Sequence, residues 1–104
     1  MRILRFLVHG QKLEKSSYCN FDGIQRGTKG YLLMQFAFSK DWSGCVIAAT
    51  FWDYDKEICA VPVMFGKCKI PDEVTDKRRI KVSLTGKSGQ YKITTNKITI
   101  SQEG

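Results

Sequence analysis

The sequence predicts an all-β fold, a sandwich of about seven short strands in a single domain spanning residues 1–104. Three observations carry that expectation. Apolar residues alternate with period two in segment after segment, which marks half-buried strands. Turn-forming residues interrupt these runs about every ten positions, the spacing of a sandwich or small barrel. No segment carries a sustained helical period. A chain of 104 residues with 42% hydrophobic and 26% charged side chains has the composition of one folded domain.

Taken in order, Ile3–Val8 reads as a first strand, ended by His9-Gly10. The stretch Gln11–Tyr18 is polar, with Leu13 as a lone anchor. Phe21-Asp22-Gly23 and Arg26–Gly30 carry turn chemistry, since glycine reaches backbone angles that other residues avoid. Tyr31–Phe38 alternates cleanly, with Leu32, Met34, Phe36 and Phe38 on one face. After the turn Ser39–Gly44 comes Cys45–Trp52, in which Ile47, Ala49 and Phe51 are aligned. Asp53–Lys56 reads as a hairpin loop leading into Glu57–Met64, where Pro62 indicates an edge or a bulge because proline cannot donate to the ladder. Lys67–Pro71 is a short extended piece, and Asp72–Lys77 is the one helix-like stretch, a single turn begun by Pro71. Ile80, Val82 and Leu84 define a further strand, followed by Gly86-Lys87-Ser88-Gly89 as a hairpin turn. In the last strand, Tyr91–Ile100, Ile93 is out of phase with Ile98 and Ile100, which calls for a bulge near Thr94-Thr95-Asn96.

The net charge of +7 attracts anionic partners: nucleic acid, acidic glycans or an acidic protein face. The basic residues are spread along the chain, and spread charge also serves solubility alone. The tightest cluster, Lys77, Arg78, Arg79 and Lys81, is the candidate electrostatic contact. Trp52 is out of phase with Phe51, so one of the two faces outward. With Tyr54, Trp52 makes a candidate aromatic patch for a sugar or a protein, set against the simpler reading in which it covers a sheet edge. Cations interleaved with aromatics also suit single-stranded nucleic acid, although no aromatic strand motif of a nucleic-acid-binding sheet is present.

Catalysis is not expected. His9, the single histidine, sits at a strand end beside a glycine, and no nucleophile can be paired with a base and an orienting acid. Asp53 and Asp55 offer too few oxygens for a calcium loop. Cys19, Cys45, Cys59 and Cys68 lack the spacing of a zinc or redox motif, so no metal and no cofactor are expected. They read as reduced, mostly buried thiols, with Cys19 the most exposed, in a protein made in the cytoplasm. No apolar run approaches a membrane span, and Arg2–Val8 is too short and too charged for a signal peptide, so no membrane partner is expected.

The order of the motifs adds a resemblance. Val8-His-Gly-Gln-Lys-Leu13 is followed by Tyr31-Leu-Leu-Met-Gln-Phe-Ala-Phe-Ser-Lys-Asp-Trp-Ser-Gly44, then by Ala49-Thr-Phe51 and Cys68-Lys-Ile-Pro-Asp-Glu-Val74. Val82-Ser-Leu-Thr-Gly86 and Ile93-Thr-Thr-Asn-Lys-Ile-Thr-Ile100 close the series. This series resembles small domains on tail, baseplate and head-fibre proteins of phages and prophages of Gram-positive bacteria. The resemblance implies an immunoglobulin-like antiparallel β-sandwich that works by binding, with virion structural proteins as partners. It also implies framework roles for Trp42, Phe51, Pro71 and Gly86, with Trp42 plugging the sandwich end. An inhibitor that blocks a host defence protein such as a nuclease is the alternative, and a carbohydrate-binding module the second alternative. The protein would be made in the host bacterial cytoplasm and carried in the virion if structural.

Overall fold

The computed structural model describes all 104 residues. The chain forms nine strands and two short 3-10 turns, with no α-helix. Sheet I has the strand order β2-β1-β3-β6, and sheet II the order β5-β4-β7-β8, with β9 also paired to β7. The strands are β1 (Arg2–His9), β2 (Lys12–Lys15), β3 (Leu32–Phe38), β4 (Val46–Asp53), β5 (Lys56–Val63), β6 (Lys67–Lys69), β7 (Arg79–Ser88), β8 (Tyr91–Thr94) and β9 (Ile98–Ser101). The two sheets pack face to face over one core of 20 buried residues, among them Leu4, Phe6, Met34, Phe51, Val82, Leu84 and Ile100.

Period-two alternation explains that core. In β3, Leu32, Met34 and Phe36 point inward, and in β7, Ile80, Val82 and Leu84 do the same. The Phe6 ring stacks on Phe36 at 5.3 Å and meets Phe21 edge-on at 5.4 Å, so the connection after β2 is tied to the core by an aromatic cluster.

Several expectations need correcting. There are nine strands rather than about seven, because Lys12–Lys15 pairs with β1 and the last segment splits in two. The sandwich is not wholly antiparallel: β1 and β3 run parallel, from Arg2 opposite Leu32 to Val8 opposite Phe38. Residues 16–31 make that return without a helix. They are pinned by the Arg2 guanidinium, which donates to the carbonyls of Asn20 (3.0 Å) and Asp22 (2.6 Å), and by the buried Ile24. Gly86 lies within β7 rather than in a turn, and the hairpin reverses at Gly89-Gln90 between Ser88 and Tyr91. Only Cys68 of the four free thiols is fully buried, and Cys19 is half-buried, its sulfur accepting the Arg5 N–H at 3.3 Å.

Other expectations hold. Pro62 lies exposed on β5, the edge of sheet II. Asp72–Val74 forms a 3-10 turn directly after Pro71. The parity change in the last segment is one extra residue: Val82 faces Ile98 whereas Thr85 faces Thr94. There Thr95 uses its hydroxyl to accept the Leu84 N–H at 2.9 Å, and its own N–H donates to the Leu84 carbonyl at 3.0 Å. The neighbouring Asn96 amide accepts from Leu13 N–H (2.8 Å) and donates to Leu13 C=O (3.1 Å), joining sheet II to the β2 edge of sheet I.

Trp42 fills the end of the sandwich. It is 3% exposed, donates its indole N–H to the Gly10 carbonyl at 2.8 Å and lies directly on Gly86.

Candidate functional site

At one end of sheet II the turn after β4 faces the loop before β7. Between them is a pocket of about 430 Å³ lined by Asp53, Tyr54, Lys77, Arg78, Arg79, Lys81 and Thr99. The basic cluster and one of the two candidate aromatics, separated by more than twenty residues in sequence, therefore share one site.

The local chemistry explains the placement. β4 and β5 are joined by the two-residue turn Tyr54-Asp55, and Tyr54 sits at φ +55°, a left-handed conformation uncommon for a non-glycine residue. Tyr54 is 75% exposed. Opposite, the loop of residues 75–78 is held from below by Gln102, which is 6% exposed. The Gln102 side-chain amide donates to the carbonyls of Thr75 (3.0 Å) and Lys77 (2.5 Å), and its backbone N–H donates to the Arg78 carbonyl at 2.7 Å. Three successive anchors on the main chain leave the side chains of Lys77, Arg78 and Arg79 exposed to solvent.

Lys77 is tied to Asp53 at 3.2 Å, the one carboxylate in the pocket lining. Arg78, Arg79 and Lys81 have no carboxylate within ion-pair distance. Lys81 stands opposite Trp52 on β4 and Thr99 on β9, and its ammonium lies 5.5 Å from the Tyr54 ring centroid. Because Arg78, Arg79 and Lys81 line one pocket, their like charges repel one another, and an anion bound there would relieve that repulsion.

Trp52 lies on the outward face of sheet II beside the pocket, half-buried, while Phe51 faces the core. Its indole N–H donates to Ser83 Oγ at 3.0 Å, and the Lys97 ammonium sits 3.8 Å from the ring centroid. Trp52 covers Ser83 on β7, a strand with neighbours on both sides, rather than a sheet edge, and it stands beside the basic site. Asp53 and Asp55 each face a lysine, Lys77 and Lys97 respectively, rather than one another. His9 is exposed at the far end of β1, opposite Lys12.

Sequence reasoning missed the extent of the basic surface. By strand parity and pairing, Arg79, Lys81, Lys87, Lys92 and Lys97 project from the same outward face of sheet II as Trp52. From Lys77 to Gln102 the chain has seven cations and no carboxylate. That acid-free run was the available signal. A second missed feature is Phe65, 96% exposed at φ +55° in the turn between β5 and β6. Gly66, its neighbour, was the signal there.

Comparison of the chain with protein families, with curated proteins and with solved structures finds no match.

Proposed function

We propose that this chain is a non-catalytic binding domain that takes an anionic partner on the outward face of sheet II. The convergence of Arg78, Arg79, Lys81 and the exposed Tyr54 ring in one pocket carries the reading. An arginine fork suits the oxygen pairs of phosphate, sulfate or carboxylate, and the neighbouring cations supply a field that steers an anion inward. The test is binding to heparin, a polyanion, in a salt titration. Wild type should bind at low salt, and Arg78→Ala with Arg79→Ala should weaken binding and flatten its salt dependence. A wild-type protein that ignores heparin at low salt would sink the proposal.

The immunoglobulin-like character of the sandwich, and its employment in a phage particle, are part of the same proposal. They rest on the ordered motifs of the sequence. Burial of Trp42 and Phe51 and the seating of Trp42 on Gly86 support the framework roles that this resemblance implies. In that setting the partners are tail, baseplate or head proteins, or a host nuclease that the domain blocks. Affinity capture from infected cells with mass spectrometry separates the two: virion proteins would support the first, and a single host nuclease would replace it with the second.

A further inference from the structure

We infer that the anionic partner is a single-stranded nucleic acid, whose backbone follows the β7–β9 face of sheet II and one of whose bases stacks on Tyr54. This inference rests on the reading of the basic face as an anion site and names its ligand class.

Three observations lead there. The first is the shape of the charge. Arg79, Lys81 and Lys87 are spaced along one face of β7, with Lys97 and Lys92 beside them, and Arg78 stands at the head of the row. From Arg79 to Lys87 the strand covers about 27 Å at ~3.4 Å per residue. A single phosphate or carboxylate would occupy one end of such a stripe, whereas a linear polyanion meets all of it. The positions between these cations are Ser83 and Thr85, and Thr94 and Thr99 lie alongside on β8 and β9. Ser83 lies buried beneath Trp52, whereas Thr85, Thr94 and Thr99 keep their hydroxyls on the outward face, where they can hydrogen-bond to phosphate oxygens.

The second observation is the aromatic at the head of the track. Tyr54 is 75% exposed, sits in a two-residue turn, and lines the pocket with Arg78 and Arg79. Folding gives no reason for an exposed ring at a left-handed position, where glycine would be less strained. A base stacked on that ring would put its own phosphate toward the arginines, and stacking on an aromatic is the sequence-tolerant way a protein holds an unpaired base. A paired base in a duplex keeps both faces covered and cannot use the ring.

The third is Trp52 with Lys97. The lysine rests on the indole at 3.8 Å and has only a loose carboxylate partner, Asp55 at 3.9 Å. A phosphate passing along the face draws Lys97 off the ring, so binding changes the surroundings of an indole that borders the track.

The experiment uses the intact chain and three probes: a fluorescein-labelled oligothymidylate, a mixed-sequence duplex of equal length, and heparin. Fluorescence anisotropy gives the affinities, and intrinsic tryptophan emission reports on the indoles. The oligothymidylate should bind more tightly than the duplex and change the tryptophan emission. With four phosphates neutralised, affinity should fall about 50-fold between ~50 and ~200 mM salt. Tyr54→Gly removes the ring while relieving the turn, and should weaken oligothymidylate binding roughly 5- to 150-fold. Tyr54→Phe should retain binding. Lys67→Ala with Lys69→Ala removes two cations from sheet I and should leave the affinity within about twofold, since these residues lie off the track. If heparin binds but the oligothymidylate gains nothing over duplex and ignores Tyr54→Gly, the nucleic-acid inference is overturned and the anionic-partner reading survives. If none of the three probes binds at low salt, both fall.

Discussion

Gly86→Ala adds one methyl group at a place where the sandwich has no room for it. A Cβ on Gly86 would stand 2.8 Å from Trp42 Cε3, 2.9 Å from Cζ3 and 3.1 Å from Cys45 Cβ. The backbone there is not left-handed, so the obstacle is contact rather than conformation. Carbon contacts are comfortable at about 3.5–4.0 Å, so the indole must retreat by most of an ångström. It cannot do so freely, because its N–H is bonded to the Gly10 carbonyl at 2.8 Å and its ring packs on Phe38 at 5.3 Å. Overpacking of this kind costs about 1–3 kcal/mol. Strain on the indole hydrogen bond adds about 0.5–1.5 kcal/mol. Alanine recovers about 0.4–1 kcal/mol by restricting the unfolded chain. The net expectation is a loss of roughly 1–3 kcal/mol, a fall of about 5–20 °C in Tm for a domain of this size. Urea unfolding followed by circular dichroism measures it. In a Trp42→Leu background the same substitution should cost less than about 0.5 kcal/mol, giving a coupling of at least ~0.5 kcal/mol. A Gly86→Ala protein as stable as wild type, or an equal cost in both backgrounds, would show that Trp42 does not rest on Gly86.

Two further predictions concern stability. The Phe65-Gly66 turn has φ +55° and +73°, the pattern that favours Asn-Gly, so Phe65→Asn should stabilise the fold by about 1 kcal/mol and raise its Tm by several degrees; differential scanning calorimetry measures this, and an unchanged or lower Tm would speak against the turn as described. Burial pushes the Cys68 thiol up to about 12 from its ordinary 9.0. The unfolded chain therefore sheds this proton above pH 9 while the folded chain keeps it, and stability should fall as pH rises from about 9 toward 12. Cys68→Ala should lose part of that dependence when urea midpoints are compared across this window, and parallel slopes for the two proteins would refute the assignment.

Much of the fold was legible because alternation survives in single strands. Leu32, Met34 and Phe36, or Ile80, Val82 and Leu84, declare their inward face without reference to any partner. What was not legible depends on pairing. β2 has one apolar residue in four, Leu13, too few to show a period. The parallel alignment of β1 with β3 is set by the route of residues 16–31, where Arg2 and Phe21 act at long range. The site divides in the same way. Lys77–Lys81 stood out because its cations are neighbours in sequence. Lys87 joins it because β7 runs on through what reads as a turn, and Lys92 and Lys97 join only once β8 and β9 are laid beside β7. That Tyr54 would face this cluster follows from the pairing of β4 with β7, which no local pattern encodes.

The Asn96 amide bonded to both backbone groups of Leu13 has a consequence for the order of events as the chain is made. Its partner lies 83 residues earlier, so the outer edge of β2 stays open until residue 96 has left the ribosome. Contacts of such sequence separation form slowly, because a long loop must close before any of them is gained. A nascent chain halted before Asn96 would therefore carry an unsatisfied strand edge, prone to pair with its neighbours on the same message. Release of that residue would be the step that seals it.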